Sequence, residues 1–272
     1  MSMEIATRSY GHGARQALAI HCSLAHAGAW RGLGAALDAD ARLLAFDLPW
    51  HGRSANWDEQ GDIHDASTAM ARALLTEPMD LVGHSFGATV ALRLAVERPE
   101  LVRSLCLIEP VYFAAARLDA PERAAAYSAQ SQALAGMIAR GDRETATRDF
   151  NRRWGDGRRW HDFPQRSRDY MMERIGFISA SAPFIEHDCA GLLRDGLLSR
   201  ATMPVLLVEG DQSPDVVGAI NDAIEKRLPD ARRAKITGAG HMAPITHPEP
   251  VAEAIRELWK VTQERVDLRA AD

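Results

Sequence analysis

The chain has 272 residues, enough for one large domain or for one domain with an insertion. Apolar residues make up 46% of it, ample for a buried core, yet no apolar run is long enough to span a bilayer. A net charge of −5 gives no global attraction to nucleic acid or to an anionic membrane, and three scattered cysteines exclude a disulfide framework or a metal knuckle.

The opening MSMEIATRSYGHGARQ has no long apolar run, so no signal peptide is expected and a soluble, cytoplasmic protein is the default reading. ALAIHC (17–22), RLLAFD (42–47), MDLVGH (79–84) and RSLCLIE (103–109) are short, aliphatic and not alternating, as strands covered on both faces should be. Between them WRGLGAALDA, DASTAMARALLT and FGATVALRLAVERP carry helical spacing, the last ending at Pro99. This alternation predicts a doubly wound, mostly parallel α/β sheet. From about 112 to 200 the strand signal nearly vanishes, and Arg, Ala and aromatic residues dominate, as in a block of inserted helices. The sheet resumes with MPVLLVEG (203–210). A helix near DVVGAINDAIEKRLP, a last strand ARRAKIT (231–237) and a closing helix from HPEPVAEAIRELWKV follow. Thr246 and Glu249 have the spacing of a capping box, which puts His247 at the mouth of that helix.

GHSFG (83–87) lies between a predicted strand and a predicted helix, the context that gives a G-x-S-x-G match its meaning. The turn is so tight that only small residues fit beside the serine, hence Gly83 and Gly87. It lifts the Ser85 hydroxyl to a helix N-terminus, where free N–H groups favour an oxyanion. GAGHMAPITHP (238–248) follows the last strand and offers His241, late in the chain, as the base. An oxyanion hole needs two donors. Phe86 N–H, after the nucleophile, is one, and Ser23 N–H, in the HCSLAHAGAW loop (21–30), is the candidate for the other.

With these residues the chain resembles the α/β-hydrolase superfamily over nearly its full length. The resemblance rests on HCSLAHAGAW, FDLPWHGRS (46–54), GHSFG, the helical insertion and GAGHMAPITHP. It implies an eight-stranded, mostly parallel sheet, a helical cap over the active site and a serine nucleophile. The expected division is therefore a core in two parts, 1–111 and 201–272, with a cap at 112–200. The chain departs from the family pattern in three places. The usual His-Gly of the oxyanion loop is His21-Cys22, and only about fifteen residues precede ALAIHC. In LVEGDQSPDV (207–216) the residue three after Gly210, where the resemblance implies an aspartate, is Ser213.

The acid therefore has to come from elsewhere. Asp211 and Asp215 flank Ser213, each needing a reshaped loop to reach His241. The other placement known in the superfamily is the end of the strand after the nucleophile helix, here Glu109 followed by Pro110. A glutamate at the end of a buried apolar strand is costly unless paired. Glu109 is the favoured acid and Asp211 the alternative.

Phe86, Tyr112, Phe113, Met242 and Trp154 are expected to make the pocket mainly apolar. Arg152, Arg153, Arg158 and Arg159 in RRWGDGRRWHDF read as a solvated face rather than a carboxylate-binding mouth, and Trp154 and Trp160 mainly as packing anchors, either of which could reach the pocket roof. No dinucleotide fingerprint, P-loop or paired Cys/His spacing is present, so no cofactor and no metal is expected. The reading is a serine hydrolase forming an acyl-enzyme with a small apolar acyl substrate, with no nucleic-acid or membrane partner. The alternatives are a non-catalytic ligand-binding protein of the same fold, or a carbon–carbon hydrolase, lactonase or perhydrolase with the same triad.

Overall fold

The structure is a computed structural model and describes residues 4–271. Its strands are β1 (Thr7–Tyr10), β2 (Arg15–Ile20), β3 (Ala41–Phe46), β4 (Met79–His84), β5 (Val102–Ile108), β6 (Val205–Gly210) and β7 (Ala231–Ile236). The helices are α1 (Arg31–Ala36), α2 (Ile63–Leu74), α3 (Phe86–Glu97), α4 (Phe113–Asp119), α5 (Pro121–Ala139), α6 (Arg143–Trp154), α7 (Gln165–Arg174), α8 (Gly176–Ile185), α9 (Asp215–Glu225), α10 (Ala243–Thr246) and α11 (Pro248–Ala271). One sheet runs in the order β1-β3-β2-β4-β5-β6-β7. All its pairs are parallel except β1 with β3.

Successive residues of the inner strands enter two different cores. Ala17, Ala19, Val82, Cys106, Ile108, Leu206 and Val208 pack with α1 and α11 through Leu33, Val251, Ile255 and Trp259. Leu18, Ile20, Leu81, Leu105, Leu107, Val205 and Leu207 pack on the other face with α2, α3 and α9 through Met70, Val90, Val217 and Ile220. Both faces need apolar side chains, which is why these strands read as continuous aliphatic runs.

The structure corrects two expectations. Among the described residues the sheet has seven strands, not eight: only Thr7–Tyr10 pairs ahead of β2, and it joins the edge strand β3 directly. The capping box does not form. Thr246 is the last residue of α10, and its hydroxyl turns to Met242 O (3.2 Å) and His247 Nδ1 (2.8 Å). The closing helix opens instead on Pro248, whose missing N–H needs no partner there.

Between β5 and β6 the described chain holds helices and no strand. α4 and α5 of this block pack on α9, and Arg123 of α5 pairs with Asp215 and Asp222 of α9. No helix among the described residues is long and apolar enough to cross a membrane.

Buried histidines fasten the loops above the sheet. His21 donates from Nδ1 to Cys22 O (2.7 Å) and accepts Leu48 N–H on Nε2 (3.0 Å). His51 donates to Pro49 O (2.9 Å) and accepts Leu24 N–H (3.1 Å). Each uses one ring nitrogen as an acceptor, which only a neutral imidazole offers. Burial lowers His21 to about 4, and holds His51 and His64 well below the ordinary histidine value. The unfolded chain takes up these protons below about pH 6.5 and the folded chain does not, so their stability is lost as pH falls. We expect the thermal unfolding midpoint to drop steadily from pH 7 to pH 4.5, each histidine adding up to about 1.4 kcal/mol per pH unit. A midpoint that stays flat over that range would contradict the neutral, buried assignment.

Candidate active site

Ser85 sits between β4 and α3 with φ 56° and ψ −118°, a conformation a non-glycine residue adopts only when its surroundings enforce it. Its N–H donates to Ile108 O at the end of β5 (2.9 Å), and Ala88 N–H donates back to its carbonyl (3.0 Å). The flanking glycines make the turn possible. A Cβ on Gly83 would stand 2.4 Å from Gly87 O, and one on Gly87 would stand 2.1 Å from Ile20 O at the end of β2. The close approach of α3 to β2 brings the 21–30 loop beside the serine.

His241 is 4% exposed, Ser85 6% and Glu109 0%, so the polar chain they form is shielded from water. His241 Nε2 lies 2.9 Å from Ser85 Oγ, and its Nδ1 lies 3.1 Å from Glu109 Oε2. An ionised carboxylate only accepts, which puts the imidazole proton on Nδ1 and leaves the Nε2 lone pair facing the serine hydroxyl. His84, which sequence reasoning passed over, supports this from below: its Nε2 donates to His241 O (2.8 Å). Burial lowers His84 to about 3, so the donor is a neutral imidazole. Its place inside GHSFG was the available signal.

The competing carboxylates are occupied elsewhere. Asp211 is exposed and accepts Gly238 N–H (2.8 Å); Asp215 pairs with Arg123. Ser213 donates its hydroxyl proton to Glu109 Oε1 (2.7 Å), the partnership that sequence reasoning missed because residues 109 and 213 are far apart in the chain. His247 contacts Thr246, not the serine.

The model of the alpha/beta hydrolase family matches residues 17–254. The chain belongs to that family. As a member it is an enzyme, an esterase-like hydrolase. A pimeloyl-[acyl-carrier protein] methyl ester esterase from Neisseria meningitidis is 30% identical over 230 residues, 82% of this chain and 69% of that one. Among solved structures, a bromoperoxidase from Bacillus anthracis superposes with a TM-score of 0.74 at 19% identity, covering 95% of this chain and 96% of the other. A thermophilic esterase from Thermogutta terrifontis gives 0.70 at 22%, covering 96% and 94%.

In this alpha/beta hydrolase the surroundings of His241 are aromatic. The Trp154 ring, at the end of α6, meets the His241 ring edge-on with centroids 4.7 Å apart. Phe113 and Tyr127, themselves stacked at 3.5 Å, lie behind Trp154. Phe86 packs on Phe177 and His64. Tyr112 is tied to α8 rather than to His241 or Ser85: its ring stacks on Phe184 and its buried hydroxyl finds Asp188. Met242 is half-buried and its carbonyl opens α10. Trp154 also lines a cavity of about 710 Å³, together with Tyr127, Pro214, Val216, Arg123 and Arg153. The arginines of RRWGDGRRWHDF pair with Asp149, Asp156 and Asp162 close by in sequence, and Trp160 is buried with its N–H on Glu144. The N–H groups of Phe86 and Ser23 have no acceptor among the described residues. No group of three or more His, Cys, Asp or Glu side chains among these residues is arranged to hold a metal ion.

The contact of Gly87 with β2 sets the position of the elbow. Gly87→Ala should lower the unfolding midpoint by at least about 3 °C, the shift expected for overpacking a core contact in a chain of this size. An unchanged midpoint would mean that this close approach is not needed for the fold.

Proposed function

We propose that the protein is a cofactor-independent serine esterase acting on small carboxylic esters with an apolar acyl part. Ser85 is the nucleophile, His241 the general base and then acid, and Glu109 the carboxylate that orients His241. The observation that carries this reading is the unbroken chain from Ser85 Oγ through His241 to Glu109, with contacts of 2.9 and 3.1 Å.

In the first half-reaction the Ser85 oxygen attacks the ester carbonyl as its proton passes to His241 Nε2. The carbonyl electrons move onto oxygen, where the N–H groups of Phe86 and Ser23 and the N-terminus of α3 stabilise the charge. The oxyanion collapses, the bond to the alcohol oxygen breaks, and the alcohol leaves with the proton from Nε2. Water then gives a proton to Nε2, attacks the acyl carbon and releases the acid, and Ser85 recovers its hydrogen. Glu109 stays ionised throughout and stabilises the imidazolium formed in each half.

The aromatic group around His241 supports an apolar substrate. We assign residues 112–200 as a cap, with Trp154 as its part nearest the triad; the ring contact of Trp154 with His241 supports this. The ester class is supported by the Neisseria relative, an esterase by name. A protein that bound a ligand without chemistry would be expected to break the polar chain at its acid, and the Glu109 contact argues against that. The free thiols of Cys22, Cys106 and Cys189 fit a reducing compartment, so a cytoplasmic location is part of the proposal.

Ser85→Ala should abolish hydrolysis of p-nitrophenyl acetate and covalent labelling by a fluorophosphonate, with the unfolding midpoint retained. Labelling that persists in the alanine variant would rule out Ser85 as the nucleophile.

A further inference from the structure

Glu109 Oε1 carries two donors, Gly210 N–H at 2.6 Å and the Ser213 hydroxyl at 2.7 Å, while Oε2 faces His241. An ionised carboxylate offers only lone pairs, so the hydroxyl can serve it only as a donor. A carboxylate at position 213 would stand against Glu109 as a like charge. A glutamate also reaches its partner through one more rotatable bond than an aspartate, and its terminal torsion is broad and two-fold. Two donors converging on Oε1 fix the plane of the carboxylate. One alone would leave it free to swing, and Oε2 would lose its line to Nδ1.

The loop that supplies both donors also holds the loop bearing His241. A Cβ on Gly210 would lie 2.1 Å from Ala239 O, so β6 ends hard against the 238–241 segment. Gln212 N–H donates to Ala239 O (2.9 Å), Asp211 N–H to Ile236 O (3.1 Å), and the Asp211 carboxylate accepts Gly238 N–H (2.8 Å). Ser213 N–H closes the turn onto Gly210 O (3.2 Å). Residues 210–213 thus grip Glu109 on one side and the His241 loop on the other.

We propose that Ser213 is a positioning residue of the active site: its hydroxyl orients the Glu109 carboxylate so that Oε2 meets His241 Nδ1. The proposal rests on the reading of Ser85, His241 and Glu109 as the triad. Ser213 itself touches neither substrate nor the reacting atoms.

The test is a double-mutant cycle on p-nitrophenyl acetate hydrolysis, with the fluorophosphonate labelling rate as a second readout. Ser213→Ala should lower kcat about tenfold, the scale of one lost hydrogen bond to a charged group, with KM within about twofold and the protein still folded, its unfolding midpoint lower by a few degrees because a buried acceptor has lost one donor. Ser213→Thr, which keeps the hydroxyl, should restore most of the rate. In a Glu109→Gln background Ser213→Ala should change the rate by no more than about twofold, because no carboxylate remains to be oriented. A wild-type kcat in Ser213→Ala, or the same tenfold loss in both backgrounds, would overturn the proposal. If Ser85→Ala is inactive in the same assay, that failure belongs to Ser213 alone; an active Ser85→Ala would overturn the triad reading and this proposal together.

Discussion

Burial of one carboxylate constrains this molecule more than any other feature. Glu109 has no exposed surface, and a charge so placed is tolerated only when its oxygens are filled by donors. Those donors come from the end of β6, from the loop after it and from the loop after β7. Its backbone is held in turn: φ is +53°, and its N–H is bonded to Val208 O. Three separate stretches of chain must therefore arrive together for this carboxylate to be satisfied. The polar chain to Ser85 is a consequence of that convergence.

The sheet makes the convergence possible. β4, β5, β6 and β7 are consecutive neighbours and all parallel, so their C-terminal ends share one edge. Ser85 follows β4, Glu109 follows β5, Ser213 follows β6 and His241 follows β7. The order of these residues in the chain is thus their order across the edge. This is the edge at which open α/β sheets bind ligands. The elbow adds Ser85, held like Glu109 at a positive φ, and anchors it through its N–H to the last residue of β5.

The parts most legible in the sequence were those with local causes. Aliphatic, non-alternating runs marked β2 to β6 because both faces of each strand are buried. The glycines around Ser85 marked the elbow because no larger residue fits. His241 was legible from its glycine-flanked loop late in the chain. Other features depend on long-range contacts. β1 is a short edge strand with exposed residues and leaves no hydrophobic pattern. The Thr246–Glu249 spacing suggested a cap, but α10 ends there and takes the threonine for itself. The contacts of Glu109 with His241 and with Ser213 depend on β5 and β6 lying side by side, which no local pattern announces. The sequence marked Trp154 mainly as a packing anchor within reach of a pocket roof, and its place against the His241 ring depends on how α6 ends.

The assignment of Glu109 as the acid is the claim from which the account of this site follows. It is tested most directly by comparing kcat of Glu109→Gln and Asp211→Asn on one activated ester under identical conditions. Replacing a triad carboxylate by its amide costs roughly 10⁴ in rate in a serine protease, so a loss of at least about a hundredfold is expected for Glu109→Gln. Asp211→Asn, whose carboxylate accepts Gly238 N–H and makes no hydrogen bond to His241, should stay within about tenfold of wild type, the scale of one lost hydrogen bond. The reverse order, with Asp211→Asn crippled and Glu109→Gln near wild type, would contradict the account and move the acid into the loop after β6.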